Sequence, residues 1–344
     1  MAWPEVFFFD ESDDEELASR ELASCLESLE IEDPFVLASS HGRGLGASLA
    51  GGGFVDIPEQ GADQAWAADF GSQSHRSGAG AIVAIGGGRT LDVGKLAAAR
   101  AGLNLVVVPT QLSHDGICSP VAVVPNADGK PESVGAIEPR AAFISLPTIA
   151  KAPPASIRAG LGDLLANPLA LRDWALAAER GLEEIEQRAW DMSVQSFELI
   201  EDALDQDPAI SVRDPKFLRR LSDALVMSGM AMIVSGTSRP ASGGEHEISH
   251  ALDELYGGRA LHGEQVAFGC IFSVALYDDD VEVFKKRLAT LGLPHEPAAL
   301  GLSTHELTDV LLAAPNTRPG RFTILEQADL DADGARRLIE RVWS

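Results

Sequence analysis

Residues 81–85 read Ala-Ile-Val-Ala-Ile, a run without one polar side chain, and they lead straight into Gly86-Gly87-Gly88. A strand covered on both faces accommodates such a run, which places it in a parallel sheet. Thr90 to Ala101 has helical composition, and Asn104 to Val108 is a second apolar run stopped by Pro109. Strand, helix and strand at this spacing make a βαβ unit. Phe35-Val36-Leu37 and Phe54-Val55-Asp56-Ile57 read as further strands, with a helix ending near His75.

The texture changes at Lys151-Ala152-Pro153-Pro154, a breaker. Beyond it helical patterns dominate, over 170–189, 193–203, 216–234, 245–255 and 263–277. The expectation is an α/β fold: a parallel-sheet nucleotide-binding domain over 1–155, then an all-α domain over 156–344. The acid-rich stretch from Glu179 to Asp207 reads as a solvated helix surface. The helices after Val281 carry little readable chemistry.

A net charge of −25 bounds the partners. A polyanion repels phosphate backbones and anionic lipid, so neither nucleic acid nor a membrane surface is expected. A small anionic substrate remains compatible, because a local site can be positive. Cys25, Cys118 and Cys270 are too few and too scattered for a disulfide framework or a CxxC metal site. Cys118 reads as a small apolar filler. The N-terminus is acidic where a signal peptide needs basic residues, and no apolar run reaches membrane-spanning length. A cytoplasmic protein is the expectation.

The turn Gly86-Gly87-Gly88-Arg89-Thr90-Leu91-Asp92 joins a buried strand to a helix. Glycines let a backbone approach a pyrophosphate, and free N–H groups at the helix start bind it. The spacing is not GxGxxG, and a plain structural turn is the alternative. Asp92 caps the helix or lines the nicotinamide side; Lys95 reads as a helix-surface residue. The loop from Pro109 to Pro120 leaves the C-terminal end of a strand, where open α/β sheets hold ligands. It crowds Thr110, Ser113, His114, Asp115 and Ser119 together.

His246 and His250 stand at i and i+4 on a predicted helix and share a face. His262 opens the next helical stretch, and Asp163 sits in the apolar setting Gly160-Leu161-Gly162-Asp163-Leu164. Imidazole and carboxylate ligands suit Zn²⁺, Ni²⁺ or Fe²⁺. Three protein ligands with open positions mark a catalytic rather than a structural site. Surface histidines and an N-capping Asp163 are the plainer readings, and sequence distance alone does not join these residues. His295 and His305 read as ordinary surface residues.

Several segments together resemble the glycerol-1-phosphate dehydrogenase family, within the iron-containing alcohol dehydrogenase and dehydroquinate synthase-like superfamily. They are GGGRTLDVGKLAAARAGL (86–103), VPTQLSHDGICSP (108–120), AGLGDLLAN (159–167), SGTSRPASGGEHEISHALD (235–253) and HGEQVAFG (262–269), with shorter matches at 129–131, 149–153 and 172–177. The resemblance implies a dehydroquinate synthase-like fold. It implies nicotinamide-cofactor contacts at Gly88, Arg89, Thr90, Leu91 and Asp92, beside Gly86 and Gly87 of the turn, and at Thr110, Ser113 and Ser119. It implies metal ligands Asp163, His246 and His262, zinc being usual and nickel or iron occurring in some members. Asp115, Asp163 and His250 become substrate contacts.

The implied reaction is reversible, metal-dependent reduction of dihydroxyacetone phosphate to sn-glycerol 1-phosphate by NAD(P)H, in phospholipid metabolism. His250 or Asp115 would relay the proton. Arg239 is the candidate for the substrate phosphate, with a helix-terminal salt bridge as its alternative. Three departures from the family pattern stand out: Pro168 after Asn167, the segment 132–137, and 38–43, where Ala38-Ser39-Ser40-His41-Gly42-Arg43 lacks the usual acid. Without that acid, and with Arg43 present, NADP(H) is expected to be accepted. Another polyol dehydrogenase, a sugar-phosphate cyclase using NAD catalytically and a non-catalytic binding protein are the rival readings. A homodimer or larger homo-oligomer is compatible with all of them.

Overall fold

The computed structural model describes residues 3–49, 53–59, 61–206 and 211–343. Met1, Ala2 and Asp207, which the sequence reading touched, lie outside them. The chain divides into two compact units, Met1–Pro154 with Ala209–Met230, and Ala155–Pro208 with Ala231–Ser344. The first division falls beside the Pro153-Pro154 breaker. Residues 209–230, expected with the helices, group instead with the sheet.

Among the described residues, the first unit has eight strands: β1 (Glu5–Phe9), β2 (Phe35–Ala38), β3 (Gly53–Asp56), β4 (Ala81–Gly86), β5 (Asn104–Pro109), β6 (Val121–Pro125), β7 (Pro131–Gly135) and β8 (Ala141–Ser145). Six form one parallel sheet in the order β1-β8-β5-β4-β2-β3. Every residue of β4 is buried, which is why that strand is purely apolar. From β2 the chain steps outward to β3, then returns past β2 to β4 and proceeds the other way. The sheet therefore has its topological switch between β2 and β4, where such folds bind ligands. β6 and β7 form a separate antiparallel hairpin.

The second unit is helical. Helix His262–Leu276 is apolar on all sides, so it can only be central. Phe268, Ile271 and Phe272 pack it into a core with Leu252, Leu288, Leu311 and Leu338. The helix expected over 170–189 is two: Asn167–Glu179 and Gln187–Gln206. The break comes where Gly181 takes φ +68°, a conformation that ends helices. Helix Gln187–Gln206 buries Ala189, Ser193, Ser196, Ile200 and Ala203 along one face and leaves its acids outward. Pro168 falls in the first turn of its helix, where a missing N–H costs nothing. Among the described residues, no helix is long and apolar enough to cross a membrane.

Candidate active site

Glycines assemble the centre of the helical unit. A Cβ on Gly162, in helix Pro154–Leu164, would overlap the carbonyl oxygen of Gly263; one on Gly263 would overlap that of Ala159. The two backbones therefore touch, and the flanking Asp163 and His262 come side by side. Gly269 brings helix Gly244–Tyr256 equally close, since a Cβ there would lie 2.5 Å from the Glu245 carbonyl oxygen. That helix carries His246.

Asp163 Oδ1 lies 3.6 Å from Nε2 of His246 and 3.6 Å from Nε2 of His262. One ligating atom from each of the three lies within 4.8 Å of the others. A tetrahedral ion bonded at roughly 2.0–2.2 Å sets its ligands about 3.3–3.6 Å apart. Asp163 and His246 are buried. Glu245 Oε1 sits 2.9 Å from His246 Nδ1 and so turns Nε2 toward Asp163. Ser249 Oγ is 3.3 Å from His262 Nδ1. Burial opposes a charge on His246, yet the Asp163 and Glu245 carboxylates outweigh it and lift the imidazole to about 9. This cluster is short of positive charge, and its donors fit one divalent ion with coordination positions left open.

His250 lies one turn beyond His246, its ring centroid 6.5 Å from that of His246 and 6.3 Å from that of His262. It stands beside the triad. Burial first, then the Arg318 guanidinium, pushes it well below the ordinary histidine range, so it is neutral. Arg318 Nε donates to its Nδ1 at 3.2 Å, and Arg318 Nη2 lies 3.5 Å from its Nε2.

Arg239, the candidate for a substrate phosphate, is 1% exposed. Its Nε donates to Glu183 at 2.7 and 2.9 Å, Nη2 pairs with the same carboxylate, and Nη1 donates to the Phe322 carbonyl at 2.9 Å. The salt-bridge alternative describes it, because a guanidinium fork held by a carboxylate is not presented to a phosphate. Arg318 and Arg321 were missed. Their signal was the Arg-Pro-Gly-Arg tetrad at 318–321, two cations on a turn motif. Asp173 was also missed. It accepts from the Gly244 and Ile324 N–H groups at 2.7 and 2.8 Å and so anchors the start of the His246 helix.

In the sheet unit the glycine turn and the 110–120 loop interlock. A Cβ on Gly86 would lie 2.5 Å from Thr90 Oγ1; one on Gly87 would overlap Gln111, and one on Gly88 the His114 ring. Thr110 N–H donates to the Gly86 carbonyl at 2.9 Å. A cavity of about 480 Å³ opens at the β2/β4 switch, lined by Ser39, His41, Gly87, Thr110, Ser145 and Thr148. A second, about 630 Å³, is bordered by Gly88, Arg89, Asp92 and His114. Leu91 is buried, and Ser113 lies half-buried on the loop. Asp115 Oδ2 accepts from Ser228 Oγ at 2.8 Å.

Lys95, expected on the surface, is wholly buried. Its Nζ donates to Asp92 Oδ1 at 3.1 Å, Ser119 Oγ at 3.3 Å and the Val121 carbonyl at 2.9 Å. Its helix, Gly88–Ala101, is covered by the sheet and by the β6–β7 hairpin, so this polar position meets protein where solvent was expected. Asp92 Oδ2 also accepts from Val123 N–H at 3.1 Å. It therefore anchors the hairpin as well as bordering the second cavity. Cys118 is buried and its thiol is pushed up to about 12 by burial, as suits an apolar filler.

A relative from Hyperthermus butylicus named glycerol-1-phosphate dehydrogenase (NAD(P)+) is 39% identical over 257 residues, covering 75% of this chain and 72% of that one. This chain belongs to the glycerol-1-phosphate dehydrogenase family. A family member of the same name from Methanoculleus marisnigri is 37% identical over 77% of this chain and 72% of its own length. Residues 23–153 match the family described as iron-containing alcohol dehydrogenase. The fold extends beyond these relatives: a probable glycerol dehydrogenase from Sinorhizobium meliloti superposes with a TM-score of 0.78 at 21% identity, over 99% of this chain and 97% of that one. Family membership makes the protein an NAD(P)-dependent oxidoreductase acting on a CH–OH group.

Proposed function

We propose that the protein interconverts dihydroxyacetone phosphate and glycerol 1-phosphate with NADH or NADPH. The observation that carries this is the convergence of Asp163, His246 and His262, with neutral His250 beside them, in a chain 39% identical to an enzyme named for that substrate.

Asp163, His246 and His262 would hold one divalent ion, zinc by donor type, which would supply Lewis acidity toward the substrate carbonyl. Glu245 keeps Nε2 of His246 on the ligand side. Neutral His250 carries one ring proton, which it can donate to a substrate oxygen and pass on. Gly87 and Gly88 open the start of helix Gly88–Ala101 to a pyrophosphate, and its free N–H groups receive it. Lys95 and Asp92 fix that turn to the hairpin. The 110–120 loop, with Thr110 on the cavity wall, would complete the nucleotide site. Asp115 is proposed as a second substrate contact.

The test is oxidation of NADH and NADPH by the zinc-loaded protein with dihydroxyacetone phosphate. Stoichiometric nucleotide consumption supports the reading. No net consumption while substrate disappears would point to a cyclase. Turnover confined to other alcohols would replace the substrate.

A further inference from the structure

Residues 318–321, Arg-Pro-Gly-Arg, form a tight turn: Arg321 N–H donates to the Arg318 carbonyl at 3.0 Å, and Gly320 takes φ +87°. Proline at the second position and a positive-φ glycine at the third are what a type II turn requires. The turn sets its two arginines at adjacent corners. Arg318 reaches His250 through Nε. Arg321 reaches the loop before the His246 helix, donating to the Ser242 carbonyl at 2.7 Å, Ser242 Oγ at 3.1 Å and Ser238 Oγ at 2.9 Å.

Neither guanidinium closes an ion pair among the described residues; their hydrogen-bond partners are all neutral. Burial, then Arg239 and Arg318, lowers Arg321 to about 10. Glu247 and Glu183 are the acids whose charge reaches this group, and Glu183 is already bonded to Arg239. Partly buried cations without a carboxylate partner are costly unless an anion joins them. We infer that Arg318 and Arg321 form the subsite for the anionic end of the substrate, a phosphate ester, next to the metal triad.

The position fits the chemistry. His250 separates Arg318 from the ligand rings by one side chain, and in dihydroxyacetone phosphate one carbon separates the carbonyl from the phosphate ester. Arg318 uses Nε and Nη2 on His250, leaving Nη1 for a phosphate oxygen. The choice of a phosphate ester rests on the proposed reaction; the existence of an anion subsite does not.

Calorimetric binding of glycerol 1-phosphate, inorganic phosphate and glycerol to the zinc-loaded full chain tests this without turnover. Arg318→Met and Arg321→Met should each weaken glycerol 1-phosphate binding about 10- to 100-fold and leave glycerol unchanged. Arg318→Lys, the variant least disruptive to folding, should fall between, keeping charge without the fork. Unchanged glycerol 1-phosphate affinity in Arg318→Lys and Arg321→Met, equal losses for glycerol and its phosphate, or a wild type that binds neither phosphate species would overturn the subsite. A wild type that binds glycerol 1-phosphate through these arginines without oxidising it would sink the reaction and keep the subsite.

Discussion

Gly263 and Ala159 leave no room for a side chain between them: a Cβ on Gly263 would overlap the Ala159 carbonyl oxygen. Backbone cannot move aside as a flexible side chain can. Gly263→Ala should therefore part the helices that carry Asp163 and His262. A destabilisation of about 1–3 kcal/mol is expected, together with loss of bound metal. Metal content per chain and thermal melting check this together; a stable variant with full metal would contradict it.

Glu245 orients His246 from behind the metal centre. Glu245→Gln keeps the shape and removes the charge, so metal affinity should drop about 10- to 100-fold. Competition with a chelator measures this. Alanine at both His246 and His262 should abolish metal binding outright, and activity lost on chelation should return when zinc is restored to the wild type.

Glu247 is wholly buried, and burial, reinforced by Glu326, raises its carboxyl from 4.5 to about 9, although Thr323 partly opposes the shift. A raised folded-state value means that the folded protein keeps a proton that the unfolded chain releases. The resulting stability is fully present below about 4.5, the unfolded value. It is lost progressively as pH rises through about 9. Melting temperature should fall over this window, and Glu247→Gln should flatten the fall. Parallel slopes for the two proteins would refute the assignment.

Lys95 is the buried cation that ties Asp92 to the 119–121 backbone. Lys95→Met strands a buried carboxylate, at a cost of about 3–5 kcal/mol. Urea denaturation should show that loss. Nucleotide KM should rise more than kcat falls, because the glycine turn loses its anchor to the hairpin.

Arg43 donates to Asp56 at 2.5 Å, at the β3 end of the sheet, while Ser39 and His41 line the cavity at the end of β2. No acid stands at 38–43 to repel a 2′-phosphate. NADPH should be used alongside NADH. Asp56→Asn frees Arg43 and should improve kcat/KM for NADPH relative to NADH; Arg43→Ala should reverse that ratio.

Local pattern was enough to specify the individual pieces. The apolar run at 81–85 specified a doubly covered strand, because side chains on both faces had to be buried. The glycine turn, the i, i+4 histidines and the acid in an apolar helix marked chemistry through residue type and spacing alone. The Arg-Pro-Gly-Arg turn at 318–321 went unread, although proline and glycine fix its backbone.

Which pieces meet was set by long-range packing. Asp163 and His262 stand far apart in sequence and touch because Gly162 and Gly263 remove the side chains between their helices. Lys95 and Arg239 are charged residue types that seldom lie fully buried. Each is buried because another layer supplies polar partners: the β6–β7 hairpin where solvent was expected for Lys95, and Glu183 where a substrate phosphate was the candidate partner of Arg239. Local pattern records which face of a helix is polar; whether water or protein lies against that face is set by long-range packing.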